Sequence, residues 1–220
     1  MIAQHIARSK IDNLRRDLVR LADDFFTIEN NGVSHLCTVL PPLGISLSEY
    51  IARQPCKGLS IAETRYFLFY LLCALEFLHT CNVVHTGECI HTTAHLARIS
   101  TSLILSDIKF DNIQLVLPEE RKDNILASIL NAPTRYKKVD NDRYVYESAV
   151  MNYGDPMAVP ILCDLDAAVH VERQCKGLVQ PKAYRAPEVY QRLEWDSSAD
   201  IWNLGVLVCH IALCILICAD

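Results

Sequence analysis

Asp107-Ile108-Lys109-Phe110-Asp111-Asn112 sets a carboxylate, an ammonium and an amide at the spacing Asp-x-Lys-x-x-Asn. Those groups can accept a proton, hold an anion with a compact point charge and offer a hard oxygen to a cation. By itself the spacing arises by chance in many proteins. Here three further groups follow it in order. An apolar run ends in Cys163-Asp164-Leu165-Asp166, about 50 residues on. Then come Tyr184-Arg185-Ala186-Pro187-Glu188 and Ser198-Ala199-Asp200-Ile201-Trp202-Asn203-Leu204-Gly205. Each residue taken singly reads as an ordinary surface Asp, Lys or Asn. The ordered set does not.

The elements that must position these groups follow from periodicity and punctuation. Ile11, Leu14, Leu18 and Leu21 fall at helical spacing, which predicts a helix over 4–22. Phe25–Ile28 and Leu36–Leu40 are β-type runs around Asn30-Asn31-Gly32, a hairpin signal. Pro41-Pro42-Leu43-Gly44 breaks the second run, and 48–53 reads as a short helix. Ser60-Ile61-Ala62-Glu63 is a capping box that opens a helix through His79. With Phe67, Leu71, Ala74, Leu75 and Leu78 that helix is apolar around most of its circumference, so it is expected to be buried. A largely polar segment, 118–155, precedes a strand at 159–163. The apolar run 204–218 is shorter than the roughly 20 residues a bilayer needs and reads as a core helix.

Composition narrows the function classes. The chain has 220 residues, 51% hydrophobic and 21% charged, a globular profile with material for one core. A net charge of −5 gives no footprint for direct nucleic-acid binding. The ten cysteines sit mostly in apolar runs without a Cys-x-x-Cys pair, which argues against a disulfide framework or structural zinc. That usage, and a start without a signal-peptide core, predicts an intracellular protein with no membrane segment. Arg15, Arg16, Arg20, Lys137 and Lys138 read as solvated charge. Cys89, His91 and His95 have a zinc-like spacing, but they lie in a stretch that reads as inserted. Cys214 and Cys218 read as packing residues.

Over residues 18–86 and 107–208 the chain resembles the eukaryotic protein kinases. His85-Thr86, the Leu43-Gly44 pair and the insert ending in Pro160-Ile161-Leu162-Cys163-Asp164 resemble the SR-protein kinase-like branch, particularly its fungal-type members. The resemblance implies an α+β, protein kinase-like fold: a mostly helical C-lobe (45–220), a hinge (41–44) and a remnant of the β-rich N-lobe (1–40), ending after the central C-lobe helix. It implies ATP and Mg2+ as cofactors and phosphoryl transfer to a serine or threonine hydroxyl of a protein, in an Arg/Ser-rich segment if the branch is a guide. Asp107 then accepts or orients the hydroxyl proton and Lys109 meets the transferring phosphoryl group. Asn112 and Asp164 coordinate magnesium. The carbonyl of Pro41 and the N–H of Leu43 grip adenine. Oligomeric state and the choice between nucleus and cytoplasm stay open.

Several features depart from that pattern. No Gly-rich phosphate loop or strand lysine precedes residue 25, and no Glu of 4–22 is assignable to the usual ion pair. Asp166 replaces a glycine, and Pro181 stands where a Thr commonly helps to hold the catalytic Asp. The stretch 164–188 contains no Ser or Thr, and Thr86 replaces the arginine that grips an activation-loop phosphate, so no phosphate switch is expected. Residues 87–106 interrupt the pattern immediately before Asp107. Their ends can be encoded with donor-like and acceptor-like splice sequences, which suggests an unspliced short intron; a family-specific insertion is the alternative. The likeness to the family's central helix holds over 200–208, and residues 209–220 do not convincingly continue that resemblance. The reading is an impaired kinase, against the alternatives of a catalytically dead binding module or a truncated gene product.

Overall fold

The computed structural model describes residues 6, 15–30, 32–55, 57–85, 108–131, 135–139, 144–147, 153–155, 157–165, 168–171 and 175–217. Thr86, the stretch 87–106, Asp107 and Asp166 lie outside the described residues, as does the candidate zinc trio.

The first element with a clear sequence cause is an antiparallel hairpin of β1 (Asp24–Asn30) and β2 (Val33–Val39). Its register closes Asn30 on Val33, and Gly32 at φ 75 supplies the left-handed residue such a turn requires. The helix expected over 4–22 does not run to residue 22. A 3-10 turn spans Arg16–Leu18, and Val19 forms a parallel bridge to Leu162. The Arg20 N–H donates to the Leu162 carbonyl at 2.8 Å. Pairing with a strand end overrides a weak local helical period.

α1 (Leu47–Arg53) is capped by Ser46, whose hydroxyl accepts from the Glu49 N–H. α2 (Ile61–Thr80) opens on the expected capping box, with Ser60 and Glu63 bonding reciprocally. It buries Phe67, Leu71, Ala74, Leu75, Phe77 and Leu78. The expected burial all round is corrected in part: Ile61, Phe69 and Leu72 on its other face are exposed. Asn82, at φ 55, turns the chain into β3 (Val83–Val84), which pairs with β8 (Val169–His170).

β4 (Ile113–Leu115) and β7 (Pro160–Leu162) form an antiparallel pair in the register Ile113↔Leu162, Leu115↔Pro160. Ile113, Leu115 and Leu162 join Leu47, Phe67, Leu75 and Leu78 in the main core, each such burial stabilising by about 1.5–3 kcal/mol. The segment 118–155, read only as polar, contains α3 (Glu119–Asn131) and an exposed hairpin of β5 (Tyr136–Lys138) and β6 (Tyr144–Tyr146). α4 (Pro187–Tyr190) is a single turn, and α5 (Ser198–Ile217) buries Leu204, Leu207 and Ile211 in the main core. α5 runs through nearly all of the apolar run 204–218, which reads as a helix from its sequence. Its Ile201 and Trp202 are exposed beside an apolar pocket of about 890 Å³ that Trp195 and Val206 also line. Among the described residues no helix is long and apolar enough to cross a membrane.

Candidate functional site

The pairing of β4 with β7 is what brings two of the expected site residues together. β4 begins directly after Asn112, and β7 ends directly before Cys163. The Cys163 N–H donates to the Asn112 carbonyl at 2.8 Å, so the ladder continues one step and sets Asn112 beside the Cys163-Asp164 peptide. Asn112 is buried and closes a 3-10 turn, Phe110–Asn112, through its N–H to the Lys109 carbonyl at 2.9 Å. Asp164 is exposed and holds φ 67, a left-handed conformation that costs a non-glycine residue about 1–3 kcal/mol. Short polar Asp tolerates it better than most, and such strain collects where a side chain must be aimed. An amide and a carboxylate oxygen at one strand end are the hard donors a magnesium ion takes. Among the described residues no cluster of three His, Cys, Asp or Glu gathers to hold a metal ion.

A second set of bonds ties this strand end to α5. Asp200, almost fully buried in the first turn of α5, accepts from the His85 backbone N–H at 2.8 Å and from the His79 Nε2–H at 2.9 Å, both on Oδ2. The ring of His85 then donates from Nε2 to the Cys163 carbonyl at 3.0 Å. Asp200, His85 and Cys163 thus form a continuous path from helix to strand end. Burial pushes the Cys163 thiol up to about 11, while the positive charge of Arg20 pulls in the opposite direction.

The third motif is held by its own neighbours. Gln180, left-handed at φ 65, donates through Nε2 to the Ala199 carbonyl at 2.7 Å and accepts from the Ala186 N–H at 2.9 Å. Arg185 donates from Nη2 to the Gln180 carbonyl at 2.9 Å, and Tyr184 meets His210 Nδ1 at 2.9 Å. Pro187 opens α4 at a position where a missing N–H costs nothing.

The segment after β2 completes the site. Leu43 packs with Ile161 and Cys163 in a small buried cluster. The Gly44 N–H donates to the Leu115 carbonyl at 2.7 Å, and the Ile45 N–H to that of Tyr153 at 2.9 Å. A Cβ on Gly44 would stand 2.5 Å from the Tyr153 carbonyl oxygen, so only glycine fits this strip of backbone. The Pro41 carbonyl has a partner that sequence reasoning missed. Arg20 donates to it from Nη2 at 2.8 Å and from Nε at 3.1 Å, and reaches Gln114 Oε1 from Nη1 at 3.3 Å. Arg20 is therefore no solvated surface charge. A guanidinium fork finds two oxygens there and ties the segment after β2 to β4. Gln114, a polar residue between buried Ile113 and Leu115, was the one sequence signal of this cluster.

No family model matches the sequence. Curated relatives do. A serine/threonine protein kinase of Aspergillus fumigatus is 27% identical over 215 residues, 94% of this chain and 45% of that protein. The serine/threonine-protein kinase SRPK of Physarum polycephalum is 26% identical over 89% of the chain and 45% of its own length. The chain's relatives are serine/threonine protein kinases, an SRPK among them. The serine/threonine-protein kinase AFC3 of Arabidopsis thaliana, 25% identical over 80% of the chain and 35% of its own length, belongs to the same group of matches. The chain spans less than half the length of these kinases. A kinase-like fold of helices and small antiparallel sheets is what such relatives imply, and the described elements are of that kind.

Proposed function

We propose that this chain is a serine/threonine protein kinase-like domain whose cleft serves magnesium-dependent phosphoryl transfer from ATP to a protein hydroxyl. The observation that carries the reading is the backbone bond from the Cys163 N–H to the Asn112 carbonyl, which brings the chain of one motif beside the chain of the next. In this reading 1–40 is an N-lobe remnant, 41–44 the hinge and 45–220 a partial C-lobe interrupted by 87–106. Magnesium, when bound, would bridge and neutralise the phosphates of ATP. Asn112 and Asp164 would hold that ion. Lys109, at the start of the turn that carries Asn112, would steady the transferred group as a point charge. Asp107, two residues before Lys109 in the sequence, would orient the attacking hydroxyl and take its proton. His85, pinned by Asp200 and bonded to the Cys163 carbonyl, fixes the distance between the two halves of the site. An Arg/Ser-rich protein segment is the substrate class that the branch resemblance favours.

The Arg20 contact to Pro41 favours a second reading, a binding module that holds partners without catalysis. Titrating the chain with ATP while following its thermal melt separates the two. Phosphoryl transfer requires a magnesium-dependent rise in Tm that is lost in Asp164→Ala and in Asp164→Asn, the latter keeping the left-handed tolerance of Asp. A rise indifferent to magnesium and to both variants refutes the assignment of the metal pair.

A further inference from the structure

Three segments that are distant in sequence meet at one guanidinium. The Arg20 backbone is fixed by its bond to the Leu162 carbonyl, so the side chain is launched from a rigid point beside β7. Its fork then takes both the Pro41 carbonyl and Gln114 Oε1, and its charge is felt by the Cys163 thiol. Guanidinium has five N–H donors, and these contacts use three of them. Two donors are left over, and it has no acceptor at all.

This bears directly on the base that the cleft can hold. A carbonyl only accepts, so adenine reaches Pro41 through its exocyclic amine, which donates. That oxygen has two lone pairs and the guanidinium already donates to it twice, so the amine would find no free acceptor there. A 6-oxopurine presents acceptors instead, O6 and N7, the pair that an arginine fork binds bidentately in guanine. We propose that Arg20 is the base-specificity determinant of this cleft, penalising a 6-aminopurine nucleotide and favouring a 6-oxopurine nucleotide. The inference rests on the phosphoryl-transfer reading above, in which the residues after β2 hold a nucleotide base. It concerns which purine enters, and leaves the roles of Asn112 and Asp164 unchanged.

Calorimetric titration of the whole chain with Mg·GTP and with Mg·ATP tests this, using the wild type, Arg20→Leu and Gln114→Leu. The affinity ratio is the readout, because a purely structural role for Arg20 would weaken both nucleotides alike. The expected result is GTP bound at least as tightly as ATP by the wild type. The ratio should then swing at least tenfold toward ATP in Arg20→Leu. A smaller swing in the same direction is expected in Gln114→Leu, where the fork loses its second anchor but the charge remains. A wild type that prefers ATP tenfold, with a ratio unmoved by either variant, overturns the specificity role and leaves the nucleotide site standing. If neither nucleotide binds any of the three proteins while unliganded melts show them folded, the phosphoryl-transfer reading fails and this inference with it.

Discussion

Asp200 gives the sharpest test of how the site is held together. Its side chain is about 2% exposed and one oxygen, Oδ2, serves two donors from different elements, the His85 N–H and the His79 ring. Asp200→Ala removes both bonds and leaves a buried backbone N–H with no acceptor. Leaving that N–H unsatisfied costs about 1–3 kcal/mol and losing the His79 bond about 1 more, roughly 2–4 kcal/mol in all. For a chain of this length each kcal/mol shifts Tm by roughly 2–4 °C, so a fall of about 4–16 °C is expected. Asp200→Asn keeps a carbonyl oxygen for the His85 N–H and loses mainly the charge, so it should cost roughly 1–2 kcal/mol, one charge-assisted bond made ordinary. Combining Asp200→Asn with His79→Gln should cost less than the two single variants added together, since each removes the same contact. Melts followed by far-ultraviolet circular dichroism measure all four proteins. If Asp200→Ala and Asp200→Asn both fall by less than about 1 kcal/mol, the path from α5 to the Cys163 strand end does not support the fold, and the argument that it spaces the two halves of the site is wrong.

Three further outcomes can be checked. Gly44→Ala places a Cβ 2.5 Å from one backbone oxygen and 3.0 Å from another, both already bonded, so it should destabilise by about 1–3 kcal/mol or more in denaturant unfolding; a neutral result would show that this strip of backbone yields. Burial raises the Glu63 carboxyl, but its bonds to Ser60 and Tyr50 outweigh that and hold it below the ordinary value. Its contribution to stability is therefore complete above the unfolded value of about 4.3 and lost as pH falls through the lower folded value. Stability against pH should accordingly lose part of its acid slope in Glu63→Gln, and an identical slope would remove Glu63 from the account. At pH 8 about one Cys163 thiol in a thousand is ionised if its value lies near 11, so iodoacetamide should alkylate exposed Cys209 well before Cys163. Peptide mass spectrometry would expose the reverse order.

The sequence determined what depends on near neighbours. The capping box at Ser60, the hairpin closing at Gly32 and the apolar strand at 160–162 each rest on contacts a few residues apart, and each formed where local chemistry puts it. The ordered motifs also determined which side chains could do chemistry, because residue type and spacing are sequence properties. Their assembly is not. Asn112 meets Cys163 only because β4 and β7 align Ile113 with Leu162, a register that two short apolar runs share with many alternatives until the core selects one. A separate parallel bridge to Leu162 drew Val19 out of a helical period into extended backbone and bonded the Arg20 N–H to the Leu162 carbonyl, since such pairing outweighs the few tenths of a kcal/mol by which local propensities differ. That displacement turned Arg20 from an apparent surface charge into the partner of Pro41 and Gln114. No spacing rule relates residues 20, 41 and 114. Only tertiary structure makes them neighbours, because a long guanidinium side chain binds whatever oxygens the folded backbone brings within its reach.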